Sequence, residues 1–517
     1  MYSIINSGGL SGLNSYIAHV EVDVTPSLPA FNLVGKLSGE VKEAKERVRV
    51  AMKNCGIEIP PAQITVNISP ANIHKTGTAY DLPIALGILD ALGRIKQHAL
   101  DDVLAIGELS LDGDLKQVSG VLPIVMECAR ASIARCIVPY GNYAEAVVVS
   151  GVEIIPAHNL SEVTEYLNGN ITTSDTISPH MQQSTAPLRE ITPGTAYDVD
   201  FSDIIGQEAC KRAALIAVAG NHHLLLSGPP GAGKTMIAKR IPTIMPPLSE
   251  AECLEVSTIY SICGLLNDKR PLITSRPFLA PHHTVTTQAL SGGGINPRPG
   301  IISQAHKGVL FLDEFPEYDR ECIEVLREPL EEKTIQVSRS RSTYTYPADF
   351  MLVAAANPCP CGYYPNRNLC NCTDSAIARY RSRISGPIKD RIDIIVAAKK
   401  VEVSDLMTTK AVKTPSRDVP SESAQMRAKV TAARAIQAKR FDGTTLTCNS
   451  DITPSLINIY CPLGPTEQDF MLDISSSMNL TARSYHKLLR VARTIADIED
   501  SPDIRVEHLA EAVCYRG

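Results

Sequence analysis

The sequence predicts an α/β protein with a parallel sheet at its centre and a helical segment at its end. Three observations predict this. An apolar run, LLLSGPPGAGKT, enters a glycine-rich turn at Gly228. Two more runs, GVLFLDE and FMLVAAANP, have the uninterrupted apolar character of strands covered on both faces. Beyond Ala424, apolar residues recur every three or four positions through AQMRAKVTAARAIQAKRF, LTARSYHKLLRVARTIADIE and VEHLAEAVCYR, which is helical spacing.

From the N-terminus, residues 1–167 alternate short apolar runs with turn signals. AHVEVDVTP and QITVNISP read as strands, AYDLPIALGILDALG as a buried helix, and IARCIVPY and GVEIIPA as further strands. A compact α/β domain is expected there. Residues 168–200 are rich in Ser, Thr, Pro and Gly and read as a linker. A second α/β region is expected over 201–402, a polar connector over 403–423, and a helical lid over 424–517. The 517 residues suffice for about three such domains. An apolar fraction of 44% with 21% charged residues excludes collagen, coiled-coil rods and wholly disordered chains. No run approaches the roughly 18 apolar residues of a membrane span, and the N-terminus lacks the basic start and apolar core of a signal peptide. A cytoplasmic protein with no membrane partner is therefore expected. The net charge of −6 excludes a general polycation but not a local basic lining.

GPPGAGKT spans Gly228, Pro229, Pro230, Gly231, Ala232, Gly233, Lys234 and Thr235 and fits the P-loop pattern in its required context, after a strand and before a helix. Glycines let backbone N–H groups wrap a triphosphate, and the helix N-terminus adds positive potential. Lys234 would reach the β- and γ-phosphates of ATP, and Thr235 would hold Mg²⁺. Asp313, at the carboxyl end of GVLFLDE and about 80 residues downstream, would share that Mg²⁺. Glu314 is placed to polarise the attacking water. Asn357 ends the next strand, either to bond that water or the γ-phosphate, or to cap the chain before proline. Positive charge for the transition state has three candidates, Arg383, Arg391 and Arg483, each of which also reads as an ordinary surface arginine.

Of the 14 cysteines, ten are scattered singly, such as Cys55, Cys128, Cys210 and Cys514, and read as small buried hydrophobes. Cys359, Cys361, Cys370 and Cys372 instead form a C-x-C…C-x-C pair. Two such pairs across a loop can close a tetrahedral thiolate site for structural Zn²⁺. An iron–sulfur cluster, free thiols and disulfides are the other readings. The loop follows Asn357 directly, and its loss is expected to disturb assembly before chemistry.

These motifs resemble a known family. PAFNLVGKL, SPANIHKTGTAYDLPIALGIL, DFSDIIGQEACKRAALIAVAGNHHLLLSGPPGAGKTMIAKRI, RPFLAPHHT, LSGGGINPRPGIISQAHKGVLFLDEF, REPLEEK, NPCPCGYY, RYRSRISGPIKDRIDI and LTARSYHKLLRVARTIADI are similar, in the same order, to magnesium-chelatase-like AAA+ ATPases of the YifB/ComM group. The resemblance implies an AAA+ core, a homo-hexameric ring with ATP between protomers, and a C-terminal lid carrying sensor 2. It implies that Arg391 is a finger reaching the neighbouring protomer, that Arg483 is the sensor 2 arginine, and that Arg383 is a second trans candidate. The hairpin segment REPLEEKTIQVSRSRSTYTYP would project toward the pore, where Lys333, Arg339 and Arg341 either contact phosphate or line a solvated hairpin. Residues 1–167 are similar to the proteolytic domain of Lon proteases, with Ala79 and Leu122 where a Ser–Lys dyad would stand. Neither side chain can attack or activate, so peptidase activity is not expected.

The function this implies is an ATP-driven ring helicase promoting branch migration of DNA in natural transformation. Basic residues of the lid, Arg427, Lys429, Arg434, Lys439 and Arg440, are expected to help hold single-stranded and branched DNA. Two alternatives stand beside it: a magnesium-chelatase-type motor subunit, and an ATP-dependent protein-remodelling adaptor gripping polypeptide with the protease-like domain.

Overall fold

A computed structural model describes residues 1–173, 197–267, 269–294, 297–339, 342–400 and 420–516. Most of the expected linker and connector, at 174–196 and 401–419, lies outside the described residues, as does Arg341.

The first 157 residues build a mixed seven-stranded sheet. Its spatial order is Ala30–Val34, Ala62–Ser69, Asn14–Pro26, Tyr2–Ser11, Val103–Ala105, Arg135–Pro139 and Glu153–Ala157. The strands Tyr2–Ser11 and Asn14–Pro26 form an antiparallel hairpin across the tight turn at Gly12 and Leu13. The last three strands run parallel. Every strand and the helix Asp81–Ala91 expected from apolar runs are present. The opening strand Tyr2–Ser11 carries three serines and two glycines and gave no such signal.

Residues 224–397 contribute five parallel strands in the order Phe278–Leu279, Val309–Leu312, Met351–Ala356, Leu224–Ser227 and Ile394–Ala397. Alternate side chains divide between its two faces, as the two-residue strand period requires. Leu224, Leu226, Val309, Phe311, Met351 and Val353 face one cluster. Leu225, Leu310, Leu312, Leu352 and Ala354 face the other. Burial on both faces is why these strands read as unbroken apolar runs. The helices Glu422–Arg440, Ala482–Ile498 and Val506–Cys514 add Val430, Ala433, Leu488, Leu489, Ala492 and Leu509 to the first of those clusters. The C-terminal helices therefore share a core with the sheet.

The two sheets meet through the helices Val121–Arg130 and Glu250–Ile262. Leu122, Val256 and Tyr260 pack in one cluster. Ser261 accepts from the Leu122 N–H at 3.2 Å and donates to Glu145 at 2.6 Å. Among the scattered cysteines, Cys128 and Cys210 are buried as expected, but Cys514 is exposed and Cys55 half-buried. Cys514 occupies the last turn of the final helix on its solvent side, with Sγ donating to the Ala510 carbonyl at 3.4 Å. Among the described residues, no helix is long and apolar enough to cross a membrane.

Candidate nucleotide site and thiolate cluster

The glycine-rich turn leaves the strand Leu224–Ser227 at the carboxyl edge of the second sheet, where open parallel sheets bind ligands. Gly233 takes φ +81° just before the helix Lys234–Ile244, a conformation that spares glycine the clash of a Cβ. A cleft of about 430 Å³ results, lined by residues 230–236, Asp313, Glu314 and 355–357.

Three strand ends converge on it. Lys234 Nζ donates to the carbonyls of Gly228 at 2.7 Å and Pro229 at 3.0 Å, and to Asn357 Oδ1 at 3.1 Å. Burial pushes the Lys234 ammonium below its ordinary pKa, with Asp313 and Glu314 opposing. Three oxygens thus hold the ammonium at the cleft. Thr235 Oγ1 donates to Asp313 Oδ2 at 2.7 Å. A hydroxyl and a carboxylate side by side make a hard oxygen pair suited to Mg²⁺. Glu314 takes φ +51° as the chain turns out of the strand Val309–Leu312, and its backbone N–H donates to Asp313 Oδ1 at 2.9 Å. Its carboxylate is half exposed, with His283 Nδ1 at 3.6 Å.

The three predicted arginines do not line this cleft. Arg383 Nη1 donates to Glu317 at 2.6 Å and to the Pro316 carbonyl at 3.1 Å. Arg391 donates to Glu331, and Arg483 lies 3.3 Å from the other oxygen of the same carboxylate. Glu331 and His283 are the polar partners that the sequence reading missed. Both sit in segments, REPLEEK and RPFLAPHHT, that served only as landmarks, and only the fold brings them to their partners.

The basic residues expected to face DNA are differently placed. Lys333 Nζ is bound by Asp451 at 2.6 Å and Asp349 at 3.3 Å. Arg440 pairs with the fully buried Asp497, and Arg434 donates to the Val218 carbonyl at 2.9 Å. These three cations are already engaged by internal carboxylates and a helix end. The side chain of Arg339 lies outside the described residues. Lys429 and Lys439 are exposed, and Arg427 is partly so.

Cys359, Cys361, Cys370 and Cys372 place all four Sγ atoms within 4.8 Å of one another. Three of the separations are 3.4, 3.6 and 3.7 Å. A tetrahedron with Zn–S of 2.3 Å has an edge of about 3.8 Å, so the cluster fits Zn²⁺ closely. Cys359, Cys370 and Ile377 are the buried members of the small apolar cluster in this turn.

A larger hollow, about 1440 Å³, lies beside the first sheet, bordered by Lys36, His74, Ala79, Arg298 and Tyr344. Ala79 lines it, while Leu122 is buried against the helix Glu250–Ile262.

Comparison with known proteins places the chain among relatives. Residues 200–406 match the family model described as magnesium chelatase, subunit ChlI, residues 20–142 match subunit ChlI of Mg-chelatase, and residues 420–516 match the ChlI C-terminal model. The YifB protein of Escherichia coli is 38% identical over 517 residues, covering 100% of this chain and 97% of its own. The competence protein ComM of Haemophilus influenzae is 37% identical over 526 residues, with the same coverages. Lon protease 2 of Bacillus subtilis is 26% identical over 182 residues, 31% of this chain and 32% of that protein.

Proposed function

The chain belongs to the YifB/ComM group of magnesium-chelatase-like AAA+ ATPases, and from that premise we propose that it is an ATP-hydrolysing motor working as a homo-hexameric ring. The observation that carries this reading is the convergence of Lys234, the Thr235–Asp313 pair and Asn357 on one cleft, while Arg383, Arg391 and Arg483 stay outside it. A cleft complete except for its transition-state cations suits a site finished by a neighbouring protomer.

In this mechanism Lys234 exchanges its carbonyl partners for the β- and γ-phosphates. Thr235 and Asp313 would hold Mg²⁺, which supplies charge neutralisation on the phosphate oxygens. Glu314 orients and polarises the attacking water, Asn357 bonds the γ-phosphate or that water, Arg391, with Arg383 as the second trans candidate, meets the charge that develops in the next protomer's site, and Arg483 serves as the sensor 2 arginine. The four thiolates hold a structural Zn²⁺, and the protein works in the cytoplasm. The N-terminal sheet is Lon-protease-like but lacks a dyad, with Ala79 and Leu122 in its place, so no peptidase activity is assigned.

For the object moved, a magnesium-chelatase-type motor subunit has the broader support, because all three matched models carry that description. A second reading, DNA translocation with branch migration during transformation, is favoured by the full-length likeness to a competence protein. The internal engagement of Lys333, Arg434 and Arg440 removes part of its electrostatic ground. A polypeptide-remodelling role would use the hollow beside Ala79.

One experiment separates these. Steady-state ATPase of the purified protein is measured alone and with single-stranded, forked and four-way DNA, with unfolded polypeptide, and with chelatase partner subunits, using Lys234→Ala as the control. Turnover no greater than that of Lys234→Ala under every condition would end the motor reading. Stimulation by one class of partner and not the others selects its reading and dismisses the rest.

A further inference from the structure

The thiolate turn reaches the nucleotide cleft by two routes. Along the chain, Cys359 follows Asn357 by two residues, and Asn357 Oδ1 holds the Lys234 ammonium at 3.1 Å. Through space, Gly362 lies directly against the P-loop. A Cβ added at Gly362, where φ is +84°, would come 2.5 Å from Pro230 Cδ and 2.8 Å from Cγ. The turn is also held around the Tyr364 ring, on which the guanidinium of Arg367 stacks from within the turn at 5.2 Å and that of Arg381 from the following helix at 5.0 Å. Arg381 Nε donates to the Pro358 carbonyl at 3.3 Å.

Within the turn, the Gly362 N–H donates to the Cys359 carbonyl and the Cys370 N–H to the Asn366 carbonyl, both at 2.9 Å, so each half closes locally while little apolar surface ties the halves together. Its small apolar cluster consists largely of the cysteines themselves. Four thiol groups at these separations gain order chiefly from a shared ion, because metal binding in such sites is folding free energy for the segment. We propose that the thiolate turn is a metal-set brace for the P-loop, so that occupancy of the cysteine site governs nucleotide affinity. With Zn²⁺ bound, Gly362 bears on Pro230 and Asn357 stays aligned with Lys234. With Zn²⁺ removed, the turn relaxes and both supports are lost together. This rests on reading the cysteines as a metal site and the cleft as an ATP site. It makes nucleotide affinity, ahead of assembly, the first property to fall.

The test uses the full-length protein. Bound zinc is measured by mass spectrometry and stripped with a zinc-selective chelator that leaves Mg²⁺ free. The Kd for a fluorescent ATP analogue is read before stripping, after it, and after Zn²⁺ is returned, with circular dichroism to follow folding and gel filtration to follow assembly. Stripping is expected to weaken binding about tenfold, the scale of a disturbed close-packed contact, and added Zn²⁺ to restore it. Gly362→Ala is expected to keep its zinc and its fold yet bind about tenfold more weakly. Undiminished affinity in the stripped protein overturns the proposal, as does wild-type affinity in zinc-loaded Gly362→Ala. Protein purified without zinc that still binds nucleotide overturns the metal premise. Loaded protein that binds no nucleotide overturns the ATP premise.

Discussion

Replacing Lys333 by alanine separates two roles that the same side chain could have. The sequence places it at the base of a hairpin expected to approach DNA. The structure binds its ammonium to Asp451 at 2.6 Å and Asp349 at 3.3 Å, tying the strand Thr334–Arg339 to the turn Asn449–Asp451. Burial opposes ionisation of Asp451, but the Lys333 ammonium and the donors on Thr447 outweigh it and hold that carboxyl below its usual range. Breaking a buried pair typically costs about 3–5 kcal/mol. Lys333 is 41% exposed, and Asp349 keeps Lys307 at 2.8 Å. Solvent screening and that remaining partner reduce the expected loss to about 2 kcal/mol. For the unit of the second sheet and the C-terminal helices, which share one core, this corresponds to a midpoint about 3 °C lower in a thermal melt. Because the folded carboxyl is depressed, the contribution is present above roughly pH 4 and disappears as pH falls through the lower folded value. The double variant Lys333→Ala/Asp451→Asn should lose less than the sum of its parts. A melt unchanged at pH 7, accompanied by weaker DNA binding, would show that Lys333 serves phosphate and that the ion pairs are incidental.

Three further outcomes follow from the site and its sheet. Glu314→Gln should bind ATP with near-wild-type affinity and lower kcat by about 10²–10⁴, the usual contribution of a positioned base; equal losses in binding and turnover would contradict that role. Arg391→Ala should bind ATP and hydrolyse it poorly, with activity partly regained on mixing with Glu314→Gln protomers, and a mixture no faster than its components refutes action across the interface. His223 is half-buried, accepts from the Leu352 N–H at 3.1 Å, and is pushed by desolvation down to about 4. The unfolded imidazole takes up protons first, so stability from this group is complete above about pH 6.5 and is lost as pH falls toward 4. Urea titrations at pH 7 and pH 5 should show that loss, and His223→Gln should flatten it.

Particular residues show how far the sequence was legible. The runs ending in Ser227, Leu312 and Ala356 are buried on both faces, and a strand covered on both sides needs apolar residues at every position, which makes it visible. Tyr2–Ser11 was invisible for the converse reason: its glycines fit where a Cβ at Gly8 would meet Ile124 and one at Gly9 would meet Tyr16, a demand of tertiary packing that leaves no apolar pattern. Cys514 was misjudged because a single thiol on a helix carries no periodic signal about which side it faces.

The glycine-rich turn, the strand ends bearing Asp313, Glu314 and Asn357, and the spacing of four cysteines are readable along the chain, because local backbone geometry and residue spacing are properties of its order. Only the tertiary structure decided which charges are spent inside. Lys333, Arg434 and Arg440 look like any exposed cation until Asp451, Val218 and Asp497 are brought beside them from 118, 216 and 57 residues away. It likewise decided that Gly362 rests on Pro230, because close packing depends on which surfaces meet and leaves no trace in the order of the chain.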